Sequence, residues 1–215
     1  MRIMKMLGLG ALVLLCGSSA VAQNRFELQP FVGYKFGGTI DLAPNTASIA
    51  RANFESNTDY GLTATFNATP NFGLEFMWNR QPTTIVGQLG NGTTFPTQIN
   101  ANLDQYHGNI LLTLADEDSK FKPFILFGLG ATRASGEAPN GLSNSSTKFS
   151  FGLGGGLRYF FTDHVGIRTQ IRWAPTYVYS TTGAIYCDWW GFCWSIPDDH
   201  YLQQGDVTVG LVLRF

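Results

Sequence analysis

The chain has 215 residues, 44% of them hydrophobic, 14% aromatic and only 13% charged, about half the charged share of an ordinary globular protein. Few charges and many aromatics exclude a disordered chain, and a formal net charge of -1 gives no electrostatic footprint for nucleic acid. Past the N-terminus no apolar run reaches the ~20 residues of a membrane helix. With 25 glycines, 17 phenylalanines and a mean hydropathy of +0.00, the profile is that of an all-β chain whose solvent is partly lipid.

Residues 1–22 read as a cleaved secretory signal. Arg2 and Lys5 supply the positive start, Met6 to Cys16 the apolar stretch, and Ala20-Val21-Ala22 the small-residue cleavage site. Export would leave residues 23–215 as one domain, with Cys187 and Cys193 in a compartment where disulfides persist.

From there the pattern has period two, so successive side chains fall on opposite faces of a strand. Segment 26–36 sets Phe26, Leu28, Val32, Tyr34 and Phe36 against Glu27, Gln29, Gly33 and Lys35. Segment 60–68 opposes Leu62, Ala64 and Phe66 to Thr63, Thr65 and Asn67, and 72–80 opposes Leu74, Phe76 and Trp78 to Gly73, Glu75, Met77 and Asn79. In 105–114, Ile110, Leu112 and Leu114 face away from His107, Asn109 and Thr113; in 123–132, Ile125, Phe127 and Leu129 alternate with Leu126, Gly128 and Gly130. Segment 148–161 separates Phe149, Phe151, Leu153, Leu157 and Tyr159 from Ser150, Gly152, Gly154, Gly156 and Arg158. Segment 165–173 separates Val165, Ile167, Ile171 and Trp173 from Arg168, Gln170 and Arg172, and the last runs from Asp206 to Phe215, with Val212 the one apolar residue on its polar side.

These eight segments of about 9–14 residues suit tilted membrane strands, which need about 9–11, better than soluble strands of about 5–6. Short turns near Thr69-Pro70-Asn71, 115–122 and Thr162-Asp163-His164 alternate with long connections at roughly 37–59, 81–104, 133–147 and 174–204. One rim of short turns and one of long loops is the arrangement of outer-membrane barrels. The fold class expected is therefore all-β, an eight-stranded antiparallel up-and-down transmembrane barrel. A soluble eight-stranded barrel or sandwich would alternate too, but with its apolar faces inside.

The Gly-rich strands Phe127-Gly-Leu-Gly-Ala131 and Phe151-Gly-Leu-Gly-Gly-Gly-Leu-Arg-Tyr159, the terminal Val209-Gly-Leu-Val-Leu-Arg-Phe215 and the signal resemble the small outer-membrane β-barrel family of OmpA, OmpX and OmpW type. That resemblance implies Phe215 as the mark read by the barrel-assembly machinery. It also implies a monomer set among outer-membrane lipid and lipopolysaccharide, and, on the OmpW side of the family, passage of small apolar molecules. It fixes an architecture and no activity.

The polar faces place Glu27, Lys35, Glu75, His107, Arg158, Arg168, Arg172, Asp206 and Arg214 in the lumen. Eight strands leave just enough room for side chains, so these charges form either a plug of salt bridges or, with its basic excess, a narrow anion-favouring pore. Passage of apolar molecules would need a trough, for which Met77, Leu126 and Phe160 are the candidates.

The last long connection carries Trp189, Trp190, Phe192 and Trp194 around Cys187 and Cys193. Clustered aromatics are binding hot spots in many interfaces; packed together they would be a lid. A disulfide is the expected state of the two cysteines. A metal site using Asp188, Asp198, Asp199 or His200 lacks the second His or Cys pair that zinc prefers. None of His107, His164 and His200 stands in a spacing with Ser and Glu that marks a hydrolase, so neither enzyme activity nor a cofactor is expected.

Overall fold

A strand that is oily on one side and polar on the other must hide one side from whatever solvent surrounds it, and here eight such strands do so by closing into a barrel. The computed structural model describes residues 25–41, 49–89, 94–116, 118–137, 143–178, 185–187, 193–195 and 200–215; the expected signal lies outside them. The staves are β1 (Phe26–Gly37), β2 (Asn57–Asn67), β3 (Phe72–Leu89), β4 (Thr94–Thr113), β5 (Phe121–Glu137), β6 (Ser143–Phe160), β7 (Val165–Trp173) and β8 (Gln204–Arg214). Each pairs antiparallel with the next in sequence, and β1 closes on β8 from Glu27 opposite Arg214 to Gly37 opposite Gln204. Closure leaves no open edge among the eight staves, an edge that lipid, unable to hydrogen-bond, would penalise.

One rim is made of the turns at 68–71 and 161–164 and the connection described at 114–116 and 118–120, held by their own hydroxyls. Thr69 Oγ1 accepts from the Phe72 amide at 3.1 Å, and Thr162 Oγ1 accepts from the Val165 amide at 3.0 Å. Both ends of the barrel meet there: the Phe215 amide donates to the Phe26 carbonyl at 2.8 Å and the Phe26 amide returns a bond at 3.3 Å.

The opposite half corrects the expected strand lengths. β3, β4, β5 and β6 span 18, 20, 17 and 18 residues, so most of the stretches 81–104 and 133–147, expected to be loops, are strand. β3 and β4 stay paired up to Gln88 opposite Thr94, and β5 and β6 up to Glu137 opposite Ser143. Short strands continue the other staves: Thr39–Asp41 and Ile49–Phe54 prolong β1 and β2, while Thr176–Val178 and His200–Leu202 prolong β7 and β8. The first of these breaks is a glycine pair, Gly37 and Gly38, whose positive φ of 83° and 116° side-chain-bearing residues rarely adopt.

The two faces settle which solvent the barrel meets. Large apolar side chains are exposed on the outside, among them Val32, Tyr34, Phe76, Phe127, Leu153 and Ile171. The buried interior is polar: Lys35, Asn79, Gln105, His107, Ser150, Arg158, Arg168, Arg172 and Asp206 are all within 2% of full burial. Its apolar cluster is small, Leu111, Phe124 and Leu126. A soluble barrel would have these faces exchanged; this one is dressed for lipid.

Candidate functional site in the barrel lumen

Inward positions on the staves bring ionic groups together in three tiers along the barrel axis. Nearest the short-turn rim, Glu27 of β1 accepts from Arg158 Nη1 at 2.9 Å, Arg214 Nη2 at 2.8 Å and Asn67 Nδ2 at 3.1 Å. Arg158 also donates to Thr113 Oγ1, and Arg214 lies 3.6 Å above the Phe160 ring. One carboxylate thus holds two guanidiniums, and Thr113 takes a further donor of Arg158.

In the middle tier Glu75 of β3 reaches across the lumen to Arg168 of β7. Asn109 Nδ2 at 2.9 Å and Thr65 Oγ1 at 3.1 Å complete its shell. Arg168 donates further to Gln170 Oε1 and stacks 4.3 Å over Phe124. The upper tier pairs Arg172 with Asp206, its neighbour in register, at 2.7 Å, while Gln105 Oε1 accepts from Arg172 Nη2 at 2.9 Å and from Lys35 Nζ at 2.8 Å. Lys35 donates also to Asn79 Oδ1 at 3.1 Å, and Asn79 in turn donates to Asp59. His107 Nε2 lies 2.8 Å from Ser150 Oγ beside this tier. The ring fits because Gly130 and Gly152 stand next to it: a Cβ on Gly130 would come 1.9 Å from the Tyr106 carbonyl oxygen and 2.5 Å from the His107 ring.

A polar lumen inside an apolar wall, with the first and last staves beginning and ending on the rim of short turns, is the build of an outer-membrane barrel. Residues 9–215 match the family described as outer membrane protein beta-barrel domain. The chain belongs to that family. Members of it sit in the bacterial outer membrane, and so does this barrel, with its short turns at the periplasmic rim. No curated protein matches the sequence.

Among solved structures, Neisserial surface protein A superposes with a TM-score of 0.57 at 14% identity, covering 88% of this chain and 97% of its own. OprG of Pseudomonas aeruginosa gives 0.54 at 13% identity, with 90% and 98% covered. Outer membrane protein W of E. coli gives 0.51 at 14%, with 91% and 100% covered. At these identities the likeness is one of fold.

All nine charged or imidazole side chains expected in the lumen of this outer-membrane barrel domain are found on its inner face. The three apolar trough candidates also point inward but do not form a line. Met77 takes a contact from Arg172 Nη1 at 3.3 Å, Leu126 packs with Leu111 and Phe124, and Phe160 lies beneath Arg214 at the periplasmic end. Below the Glu27 tier a cavity of about 670 Å³ opens to the periplasm, lined in part by Arg25, Lys120, Asp118 and Asp163.

Phe215 is on the outer wall at the same rim, its ring centroid 6.5 Å from that of Phe26. In the last upper connection, Ile185–Cys187 and Cys193–Ser195 form a two-stranded ladder with Cys187 directly opposite Cys193. Trp189, Trp190 and Phe192 lie outside the described residues, as does the side chain of Trp194.

Sequence reasoning missed the neutral partners. Gln105 bridges two cations and Asn79 links Lys35 to Asp59, yet an amide on a polar face carries no mark of its role. Asp59 lay one residue before the segment assigned to its strand, although it keeps the period of Gly61, Thr63 and Thr65. A second omission is on the outer wall, where Arg80, Asp104 and Arg133 stand on adjacent strands.

Proposed function

We propose that the protein is a plugged outer-membrane anchor whose task is carried by its four upper connections at the cell surface. The observation behind this reading is the set of three ion-pair tiers, Glu27 with Arg158 and Arg214, Glu75 with Arg168, and Asp206 with Arg172. Glu27 with Arg158 and Glu75 with Arg168 cross the lumen, Arg172 reaches across it to Gln105, and eight strands leave little space beside them. Separating such pairs to pass a solute would strand buried charges, at a cost of several kcal/mol per ion. His107 spends one ring nitrogen on Ser150 deep in this network, a place no lipid or peptide substrate reaches, which supports a non-enzymatic role.

The fourth connection is the surface we assign to interaction. This reading is supported by the backbone register alone: residues opposed in an antiparallel ladder stand within the Cα separation that a disulfide can span, and Cys187 is opposed to Cys193. A bridge from Cys187 to Cys193 would hold Trp189, Trp190, Phe192 and Trp194 as a compact aromatic tip for an extracellular ligand or surface. Conductance of the purified protein in planar bilayers tests the plug. The expected record is flat, without steady channels. Steady, anion-selective steps would overturn the plug and leave the narrow-channel reading in its place.

A further inference from the structure

The outer wall carries a charged row that the lumen does not explain. Among described side chains, the outward positions of the eight staves hold three charges, and all three stand side by side: Arg80 of β3 opposite Asp104 of β4, and Asp104 opposite Arg133 of β5. Arg80 grips Asp104 with two bonds, Nε to Oδ1 at 2.7 Å and Nη2 to Oδ2 at 2.9 Å, and Trp78 Nε1 donates to the same carboxylate at 3.3 Å. The acid is thereby covered, 4% exposed, while the Arg80 side chain stays 41% exposed. Arg133 is exposed on the far side of Asp104, within its electrostatic reach, and Tyr60 lies against Arg80 from β2.

The row has a definite height. One pleat toward the periplasm the outward residues are Leu62, Trp78, Tyr106, Ala131 and Phe149, with Tyr60 and Trp78 edge to face at 6.3 Å. One pleat the other way they are Pro82, Asn102, Ser135 and Ser145. An aromatic row below and a polar row above mark the boundary between hydrocarbon and headgroups. Since the short turns lie at the periplasmic rim, this boundary faces the outer leaflet.

We infer that Arg80, Arg133 and Tyr60 form a binding site for the phosphorylated sugar headgroup of an outer-leaflet glycolipid of the lipid A kind. Two guanidiniums against one carboxylate leave a positive charge on the wall at headgroup height. A guanidinium presents the fork that matches phosphate oxygens two at a time. Asp104 is the positioning residue: it fixes the Arg80 plane and keeps the pair from swinging into the hydrocarbon. Acyl chains of the same lipid would lie down the wall over Phe76, Leu129 and Phe151, directly below. The site rests on the outer-membrane placement of the barrel and is indifferent to whether the lumen conducts.

The test is native mass spectrometry of the refolded full-length protein, free of lipopolysaccharide, titrated in detergent with lipid A. A single lipid A should be retained at low lipid concentration, and lipid A stripped of its phosphates or phosphatidylglycerol should be retained at least about tenfold less well. Arg133→Gln leaves the Arg80–Asp104 pair intact and should lower occupancy by a similar factor of about ten, with Arg80→Lys between it and the native protein. Lys120→Gln, at the periplasmic rim, should change nothing. Folding of each variant is checked by its heat-dependent shift in gel mobility. Equal occupancy in native and Arg133→Gln proteins, or equal retention of phosphorylated and stripped lipid, would overturn the site. Phosphatidylglycerol held as tightly as lipid A would reduce it to a general anionic contact and overturn the glycolipid assignment.

Discussion

Glu75 and Arg168 show what a charged residue contributes to an interior built without an oily core. Both are essentially removed from solvent, and each has neutral partners as well, Thr65 and Asn109 for the acid, Gln170 for the base. Deleting one member leaves the other charged and unpaired in a closed space, whereas removing both swaps an ion pair for packing. Arg168→Met should therefore cost about 3–5 kcal/mol of stability. The double variant Glu75→Met/Arg168→Met should recover most of that loss. Urea unfolding in lipid vesicles measures both, and a double variant as weak as the single would show that the pair is needed for more than charge balance.

Much at this scale was legible in the sequence, because strand parity assigns a face to every charge. Which acid meets which base was only half legible. Arg172 with Asp206 and Arg214 with Glu27 are neighbours in register. Glu75 with Arg168 and Glu27 with Arg158 cross the lumen, where strand tilt and stagger set the meeting points.

At the scale of elements, the eight staves and the orientation of every one of them follow from alternation, but their upper ends do not. Alternation signals a strand only where the two faces meet different solvents. Above the Arg80–Asp104–Arg133 row the contrast between the faces is lost: the outward side turns polar at Asn102 and Ser135, while inward Gln81 and Thr83 stand beside Leu103 and Ala101. The hydropathy pattern therefore fades while the backbone remains paired. Thr83 Oγ1 and Gln81 Nε2 both donate to the Glu55 carbonyl, tying β2's upper break to β3.

The barrel wall should consequently continue well beyond the hydrocarbon. Amide hydrogen exchange separates wall from loop: amides of residues 81–86 and 99–103 that bond across β3 and β4 should be protected for hours. Loop amides exchange within seconds under the same conditions. Fast exchange throughout both stretches would return them to the loops that the sequence pattern suggested.

For the whole molecule, the low charge and high aromatic content reflect an inverted protein. Charge is scarce because the largest surface faces lipid, and much of what remains is divided between the lumen and the turns and connections. Phe215 sits at the seam where β1 closes on β8. Its backbone joins Phe26 and completes the closure of β1 on β8, yet its ring is 60% exposed and touches the Phe26 ring only at 6.5 Å. A side chain so placed contributes little to the finished barrel, so Phe215→Ala should lower the stability of protein refolded in detergent by about 1–2 kcal/mol at most.

If the same aromatic is the mark by which the assembly machinery takes hold of the chain, the cell should respond far more strongly. Folded Phe215→Ala protein in the outer membrane should fall to a minor fraction of native, with unfolded chain degraded in the periplasm. Measuring the two quantities side by side separates the roles. A loss in detergent as large as the loss in cells makes Phe215 a structural residue of the closure, and native levels in cells remove it from assembly altogether.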